Sequence, residues 1–323
     1  MANLKSDTLK RLYTKMLRIR RIEEAIADAY PNKEMKCPVH LSIGQEAVPV
    51  GICEQLSSQD RVYSTHRCHA HYLAKEGSVP KMIAELFGKV TGCCRGKGGS
   101  MHLVSHETGM MGSSALVGGT IPLAVGSALA FSLEKRPQVA IAFFGDGGSE
   151  EGIFYESMNF AALRKLPVIF AVENNQYATY SHQKARQATP DIYKRGDSFG
   201  IASARVDGND IEAVYHASEA AIARARSGAG PSVLEFETYR WRDHVGPAMD
   251  IEVGYRTKDE VDSWMAKCPI QRLEQKLLTQ RLLAPLEREE IEASIKIEIA
   301  DAFAFARESQ FPGASEIYTD IYA

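Results

Sequence analysis

Gln138-Val139-Ala140-Ile141-Ala142-Phe143-Phe144-Gly145-Asp146-Gly147-Gly148 decides the fold, read with the segment that ends in Glu173-Asn174-Asn175-Gln176-Tyr177. The first seven residues are apolar nearly throughout, the signature of a strand buried on both faces. Asp146 arrives as that strand ends, between glycines that let the backbone turn sharply and approach a ligand closely. Ile153, Phe154, Met158, Ala161, Ala162 and Leu163 then recur at helical spacing. Pro167 closes the helix, and Val168-Ile169-Phe170-Ala171-Val172 reads as the next buried strand. The unit is βαβ, which predicts parallel strands and a right-handed crossover.

Both polar clusters fall just past the carboxyl ends of their strands, where open α/β sheets bind ligands. Asp146 and Asn175 are 29 positions apart yet project toward one point. A carboxylate, an amide oxygen and a nearby backbone carbonyl suit a hard cation such as Mg²⁺, which takes few protein ligands beside phosphate oxygens. The helix start near Gly152 and the glycine-rich turn add N–H groups suited to that phosphate. Taken singly, Gly-Asp-Gly and Asn-Asn are ordinary turn sequences. Their placement at the ends of adjacent strands is what gives them meaning.

With 323 residues, 45% of them hydrophobic and 24% charged, the chain has ample core for one large α/β domain or two smaller ones. A net charge of −3 and an isoelectric point near 6.3 argue against a nucleic-acid surface. No apolar run is long enough to span a membrane, and the N-terminus lacks a signal core. Six cysteines without a Cys-x-x-Cys pair fit reduced thiols in a cytoplasmic protein.

Around the central unit, helices are expected from an N-cap at Asp7 to before Pro31, from His40–Ala47 through about Leu56, after Pro80 to Phe87, and over Ile121–Leu133. The small residues of the last of these fit close packing against another helix or subunit. Short strands are expected at Arg61–Tyr63, Ile201–Val206 and Pro231–Thr238, with a helix from Asp210 to Ser227 between the last two. Ala178–Gly200 reads as a loop over the site. Helices near 258–266, 270–282 and 286–308 form a C-terminal appendage. Alternating strands and helices give a doubly wound, mostly parallel α/β sheet. No linker or repeat interrupts residues 1–323, which read as a single α/β domain whose residues 258–323 are a mainly helical extension.

Three histidines in Thr65-His66-Arg67-Cys68-His69-Ala70-His71 raise the question of zinc. On a strand, however, His69 and His71 face one side and His66 the other, and Arg67 would repel a cation. An anion site with Arg67 as a planar fork fits better. In Tyr239-Arg240-Trp241-Arg242-Asp243-His244-Val245-Gly246-Pro247, Arg240 leaves a strand end and could reach the same anion. His244 could carry a proton near a substrate. A solvated charged loop is the equal alternative.

Gly-Asp-Gly followed after 26 residues, Gly148 to Glu173, by Asn-Asn resembles the thiamine diphosphate motif. By that resemblance Asp146, Asn175 and the backbone carbonyl of Tyr177 bind Mg²⁺. From about Tyr13 to Gln271 the chain is similar to the α subunit of the two-chain 2-oxo acid dehydrogenase first component, of pyruvate, branched-chain and acetoin dehydrogenase complexes. The matching segments include Gly44-Gln45-Glu46-Ala47, Gly96-Lys97-Gly98-Gly99-Ser100-Met101-His102, Tyr193-Lys194-Arg195-Gly196-Asp197 and Thr238-Tyr239-Arg240. The resemblance implies the thiamine diphosphate-binding fold. It makes Arg67 and Arg240 the diphosphate arginines and Gly147 and Gly148, after Gly145, diphosphate contacts. Ala115 and Val117 would meet the aminopyrimidine, Val117 also as the apolar wedge under the bent cofactor. His40, His69 and His244 would be the active-site histidines, with His66 beside the phosphate arginine where pyruvate-specific relatives carry tyrosine.

The same resemblance implies oxidative decarboxylation of a 2-oxo acid such as pyruvate, with the cofactor as electron sink. A lipoyl group on a partner acyltransferase would accept the acyl unit. The chain would be inactive alone and would pair with a β subunit in an α₂β₂ heterotetramer, because the glutamate that activates the cofactor comes from the β chain. The alternatives are an acetoin dehydrogenase α subunit or a biosynthetic acyl or ketol transferase, such as half of a split transketolase. Arg242-Asp243-His244-Val245 departs from the family's His-Gly-His-Ser/Phe pattern. The serine phosphorylated in animal relatives becomes Val245, so that regulation is not expected, and Asp243 sets a carboxylate beside His244.

Overall fold

The structure, a computed structural model, describes residues 4–319. Helix α1 (Ser6–Ala29) is followed by α2 (Ala47–Cys53), β1 (Arg61–Thr65), α3 (His69–Ala74), α4 (Val79–Leu86) and β2 (Met110–Ser114). Then come α5 (Ile121–Leu133), β3 (Ala140–Gly145), α6 (Gly152–Arg164) and β4 (Val168–Asn174). A small hairpin of β5 (Tyr177–Ala178) and β6 (Ser181–His182) leads to α7 (Gln183–Arg186). The chain continues through β7 (Ala202–Asp207), α8 (Ile211–Arg226) and β8 (Ser232–Glu237) to α9 (Lys258–Met265), α10 (Pro269–Thr279) and α11 (Pro285–Glu308).

Six strands form one sheet in the order β2-β1-β3-β4-β8-β7, and every pairing is parallel. The apolar runs at its centre alternate faces. Ile141 and Phe143 of β3, with Ile169 and Ala171 of β4, join a core shared with α1 to α4, α8, α10 and α11. Ala140, Ala142 and Phe144, with Val168, Phe170 and Val172, join a second core under α5 and α6. Burial on both faces is what makes these strands read as unbroken apolar segments. Helix α11 packs on α4 and α1, so the helical C-terminal segment is seated on the first core.

After β1 the chain turns outward to β2, comes back to β3 beside β1, and then proceeds through β4. The topological reversal therefore lies between the carboxyl ends of β1 and β3, at Thr65–Arg67 and Gly145–Asp146. That is where a doubly wound sheet opens a crevice.

Some local expectations are corrected. The first helix is capped at Lys5, with Asp7 inside its first turn. Residues 40–46 are not helical, because Gly44 has φ +100° and a Cβ there would lie 2.4 Å from the Trp241 ring and 2.6 Å from the Tyr239 carbonyl. His69 and His71 belong to a helix, since β1 ends at Thr65 and the chain turns over His66–Cys68. Strand β2, Met-Met-Gly-Ser-Ser, carries no strand signal in the sequence; its pairing with β1 supplies what its propensity lacks. The stretch 178–200 is not wholly irregular, containing β6, α7 and a 3-10 turn at Tyr193–Phe199.

Candidate active site

Arg20 and Glu46 form a buried, two-pronged ion pair, with Nε–Oε1 at 2.6 Å and Nη2–Oε2 at 3.0 Å. Glu46 also accepts the Gly44 N–H at 3.0 Å, and the Arg20 guanidinium lies 4.1 Å over the Trp241 ring. This cluster ties the turn at residues 40–46 to α1 and to the segment leaving β8. It sets His40 and Gln45 against the carboxyl ends of β1, β3 and β4.

There the crevice opens as a cleft of about 390 Å³. His40, His66, Arg67, Ala115, Val117, Gly145, Asp146, Gly147, Gly148, Asn175, Tyr177 and His244 all line it. Gln45, Thr65, Met101, Glu150, Glu151, Glu173, Ala178 and Thr179 complete the wall. Asp146 and Asn175 thus share one cleft from the ends of neighbouring parallel strands.

The Asn175 amide donates to Gln45 Oε1 at 3.1 Å, and its own Oδ1 accepts the Tyr177 N–H at 3.2 Å. Its orientation is therefore fixed from both ends. Asp146 is buried, which pushes its carboxyl above the ordinary aspartate range against the opposing pull of Arg186. Arg186 from α7 bridges Asp146 and Glu150, so a cation gripped by Asp146 displaces a guanidinium already there. Gly147 faces Ala178 so closely that a Cβ would lie 2.9 Å from the alanine's Cβ.

Arg67 is buried, and burial followed by the charge of Arg240 lowers its pKa to about 9. It donates to the carbonyls of Leu41 at 2.7 Å and His244 at 3.1 Å. Arg240 does not form part of the cleft wall. It is held from behind by Asp250 at 3.1 Å, Tyr255 Oη at 2.7 Å and the carbonyls of Arg242 and Thr179. Arg256 shares Asp250 and donates to the carbonyls of Arg240, Trp241 and Arg242. Two guanidiniums on one carboxylate leave this corner positive, and Arg240 Nε is buried without a partner. A buried unpaired donor on a cation is costly unless an anion meets it. Within the cleft itself, Arg67 and the glycine-rich turn at Gly147–Gly148 fit a diphosphate, with the positive Arg240 corner outside the wall, and the oxygens of Asp146 and Asn175 fit its metal.

The rings of His40, His66 and His244 come together, whereas His69 does not line the cleft. His69 is wholly buried, pairing with Glu23 at 2.5 Å and with Ser100 Oγ at 2.8 Å, and Glu23 also accepts the Ser42 N–H. That network pins the turn carrying His40 to the glycine-rich segment carrying Met101. His69 thus acts on the cleft from behind, a correction to its expected place among the contacting imidazoles. His71 likewise stands behind the wall, with Nε2 3.2 Å from Glu173. Asp243 has a buried oxygen without a hydrogen-bond partner, and burial raises its pKa. Gln45 and Arg186 were missed as site residues. Gln45 had a signal, standing inside the quoted Gly44–Ala47 segment, while nothing local marks Arg186.

A doubly wound parallel sheet whose reversal point gathers a carboxylate, an amide, a glycine-rich turn and a buried arginine is the frame of a class of diphosphate-cofactor enzymes. The profile of the family described as "Dehydrogenase E1 component" matches residues 14–315. The chain is 41% identical over 313 residues to the α subunit of acetoin:2,6-dichlorophenolindophenol oxidoreductase of Bacillus subtilis (strain 168), covering 96% of this chain and 92% of that one. It is 41% identical over 318 residues to the pyruvate dehydrogenase E1 component subunit alpha of Rhizobium meliloti (strain 1021), covering 98% and 90%. The corresponding subunit of Porphyra purpurea is 39% identical over 328 residues, covering 99% and 94%. The chain belongs to the dehydrogenase E1 component family, as an α-type subunit of a thiamine diphosphate-dependent dehydrogenase that works with a β subunit. Among the described residues no helix is long and apolar enough to cross a membrane.

Proposed function

We propose that this chain anchors thiamine diphosphate through Mg²⁺ for oxidative decarboxylation of a small 2-oxo acid, or for cleavage of acetoin. The carrying observation is the meeting of Asp146 and Asn175 in one cleft with Arg67. Asp146, Asn175 and the Tyr177 carbonyl hold the metal. Gly147 and Gly148 offer backbone donors to the diphosphate, with Gly145 supplying the strand end. Arg67 brings positive charge at the cleft wall, and Arg240 brings it from outside that wall. Ala115 and Val117 meet the aminopyrimidine, and Val117, 48% exposed, supplies the wedge. The cofactor, when bound, supplies the electron sink for loss of CO₂. His40 and His244 stand at the substrate end, each able to hold a proton against a carbonyl or carboxyl oxygen, and His69 keeps that wall in place.

The outer faces of α5 and α6 leave Leu123, Leu133, Phe160 and Leu163 exposed, with no Cβ contact within 4 Å at Gly126 or Gly152. Such a face supports an α₂β₂ assembly with the cofactor at the subunit boundary. A lipoyl-bearing acyltransferase is the acyl acceptor in this reading, and the six unpaired cysteines support a cytoplasmic setting. His66 in place of the tyrosine of pyruvate-specific relatives favours the acetoin reading over pyruvate.

The test is to assemble the chain with its β partner and measure thiamine diphosphate binding with Mg²⁺ by calorimetry. Turnover of pyruvate, branched-chain 2-oxo acids and acetoin is then followed with an artificial electron acceptor. Cofactor binding that is abolished by Asp146→Ala is expected, with acetoin turned over fastest. Binding that survives Asp146→Ala would overturn the metal assignment, and transfer from a sugar phosphate donor would favour the transketolase reading.

A further inference from the structure

His66, His69 and His71 are neighbours in sequence but do not meet. His66 instead meets two histidines from distant segments. The His40 and His66 ring centroids are 4.8 Å apart, and His244 is 5.3 Å from each. One nitrogen from each ring lies within 4.8 Å of the other two. The rings arrive on three separate supports: the turn held by Glu46, the end of β1, and the segment after β8. All three line the cleft. His40 is 6% exposed, and its Nδ1 is buried without a hydrogen-bond partner. A buried imidazole nitrogen left unpaired calls for an explanation, and a bound ion is one of those that apply.

We propose that His40, His66 and His244 form a binding site for a borderline divalent transition-metal ion of the Zn²⁺ or Co²⁺ type, distinct from the oxygen site at Asp146 and Asn175. Three imidazoles with a fourth position open to a cleft is the ligand recipe for such ions. Mg²⁺ prefers oxygen, so the two sites sort two kinds of metal. Tetrahedral metal–nitrogen bonds of about 2.0–2.1 Å put the nitrogens about 3.4 Å apart, so a set that lies within 4.8 Å must close further around an ion. Burial first, and then the charge of Arg67, depress all three imidazoles, to about 2 for His40, 3 for His66 and 4 for His244. Neutral imidazole is the form that binds a metal, and the same burial and Arg67 charge that keep protons off also weigh against a cation, so the site stands on its ring geometry.

The charge of Arg67 opposes a cation, but two observations limit its effect. Its guanidinium is turned to the carbonyls of Leu41 and His244. Asp146, Glu150, Glu151 and Glu173 place four carboxylates on the same cleft. His66 completes the set, since tyrosine at that position leaves only two imidazoles. An ion held there fills the substrate end of the cleft and blocks it reversibly. Metal binding itself does not depend on which substrate the enzyme takes.

The experiment titrates Co²⁺ into the chain assembled with its β partner, in excess Mg²⁺, and follows the visible ligand-field bands that Mg²⁺ cannot give. One Co²⁺ per chain is expected, with the bands erased by Zn²⁺. His66→Tyr should weaken Co²⁺ binding by at least about tenfold, with His66→Asn as the variant if the larger ring does not fold. The proposal is overturned if up to about 100 µM Co²⁺ gives no bands stronger than those of the free aqueous ion, or if the intensified bands and affinity persist in the folded His66 variant. Neither readout requires turnover, so failure here is separate from failure of the decarboxylation assay.

Discussion

Asn175 donates its side-chain amide to Gln45 Oε1 at 3.1 Å, across 130 positions of sequence. This bond turns the opposite, oxygen end of the amide toward the Tyr177 backbone, where it accepts at 3.2 Å. A residue on the turn before α2 thereby orients the candidate metal ligand at the end of β4. Groups that orient metal ligands contribute strongly to metal affinity without touching the ion. Gln45→Ala should weaken Mg²⁺-supported thiamine diphosphate binding by about 10- to 100-fold. Calorimetry at varied Mg²⁺ would show it as a raised Mg²⁺ requirement. An unchanged requirement would mean that Asn175 holds its orientation alone.

Glu46 carries a different kind of weight. It is fully buried and is the carboxylate facing Arg20. Glu46→Ala leaves that guanidinium buried without its counter-charge and releases the Gly44 N–H. Breaking one side of such a pair typically costs about 3–5 kcal/mol. A clear fall in the denaturant midpoint is expected, together with loosening of the turn that carries His40. If the midpoint of Glu46→Ala stays near that of the parent protein, water or another acceptor replaces the pair.

How far the sequence discloses this architecture depends on how local each cause is. Strands β3 and β4 are visible because burial on both faces forces an apolar run, and Asp146 and Asn175 because they follow directly where those runs end. Helices α8 and α10 announce themselves by periodicity. Residues 40–46 mislead, because apolar spacing continues through a turn that Gly44 makes non-helical, and the partner requiring it, Trp241, lies nearly two hundred positions away. Strand β2 depends on its pairing with β1, which no property of Met-Met-Gly-Ser-Ser reveals. The meeting of His66 with His40 and His244, and the reach of Arg186 to Asp146, are likewise products of tertiary folding. Family resemblance supplies the first grouping in part, by making His40 and His244 active-site histidines and setting His66 beside the phosphate arginine.

The histidines also set a pH dependence. Each has a folded pKa below the ordinary value of about 6.5, near 2 for His40, 3 for His66 and 4 for His244. Below pH of about 6.5 the unfolded chain takes up protons that the folded cleft refuses, so the unfolded state binds more protons and stability rises with pH. The contribution is present above about pH 6.5 and is lost as pH falls from there, down to about 4 for His244, 3 for His66 and 2 for His40. The thermal midpoint should therefore fall between pH 7 and pH 5. His66→Tyr, which removes one such group, should make that fall shallower. A variant that tracks the parent at every pH would show that other groups govern the acid limb.

Asp243 bears on substrate choice. It sits next to His244 with one carboxylate oxygen buried and unpartnered, while its N–H donates to the Ala248 carbonyl at 3.0 Å. Burial holds its carboxyl above the ordinary aspartate range. Asp243 does not itself line the cleft, but it adjoins His244, which does, and when ionised it repels the carboxylate of a 2-oxo acid more than it repels a neutral hydroxyketone. A like charge in a partly buried site is felt more strongly than in water. Asp243→Gly should therefore raise kcat/KM for pyruvate relative to acetoin by about 5- to 10-fold, equivalent to about 1 kcal/mol of differential transition-state binding. The change should appear mainly in KM, because the carboxylate acts on substrate charge rather than on the cofactor, and the affinity for thiamine diphosphate should not move. A substrate ratio that stays constant in Asp243→Gly would leave the departure at this position without a role in selection. A loss of cofactor affinity would instead tie Asp243 to the Arg240–Asp250–Arg256 corner behind it.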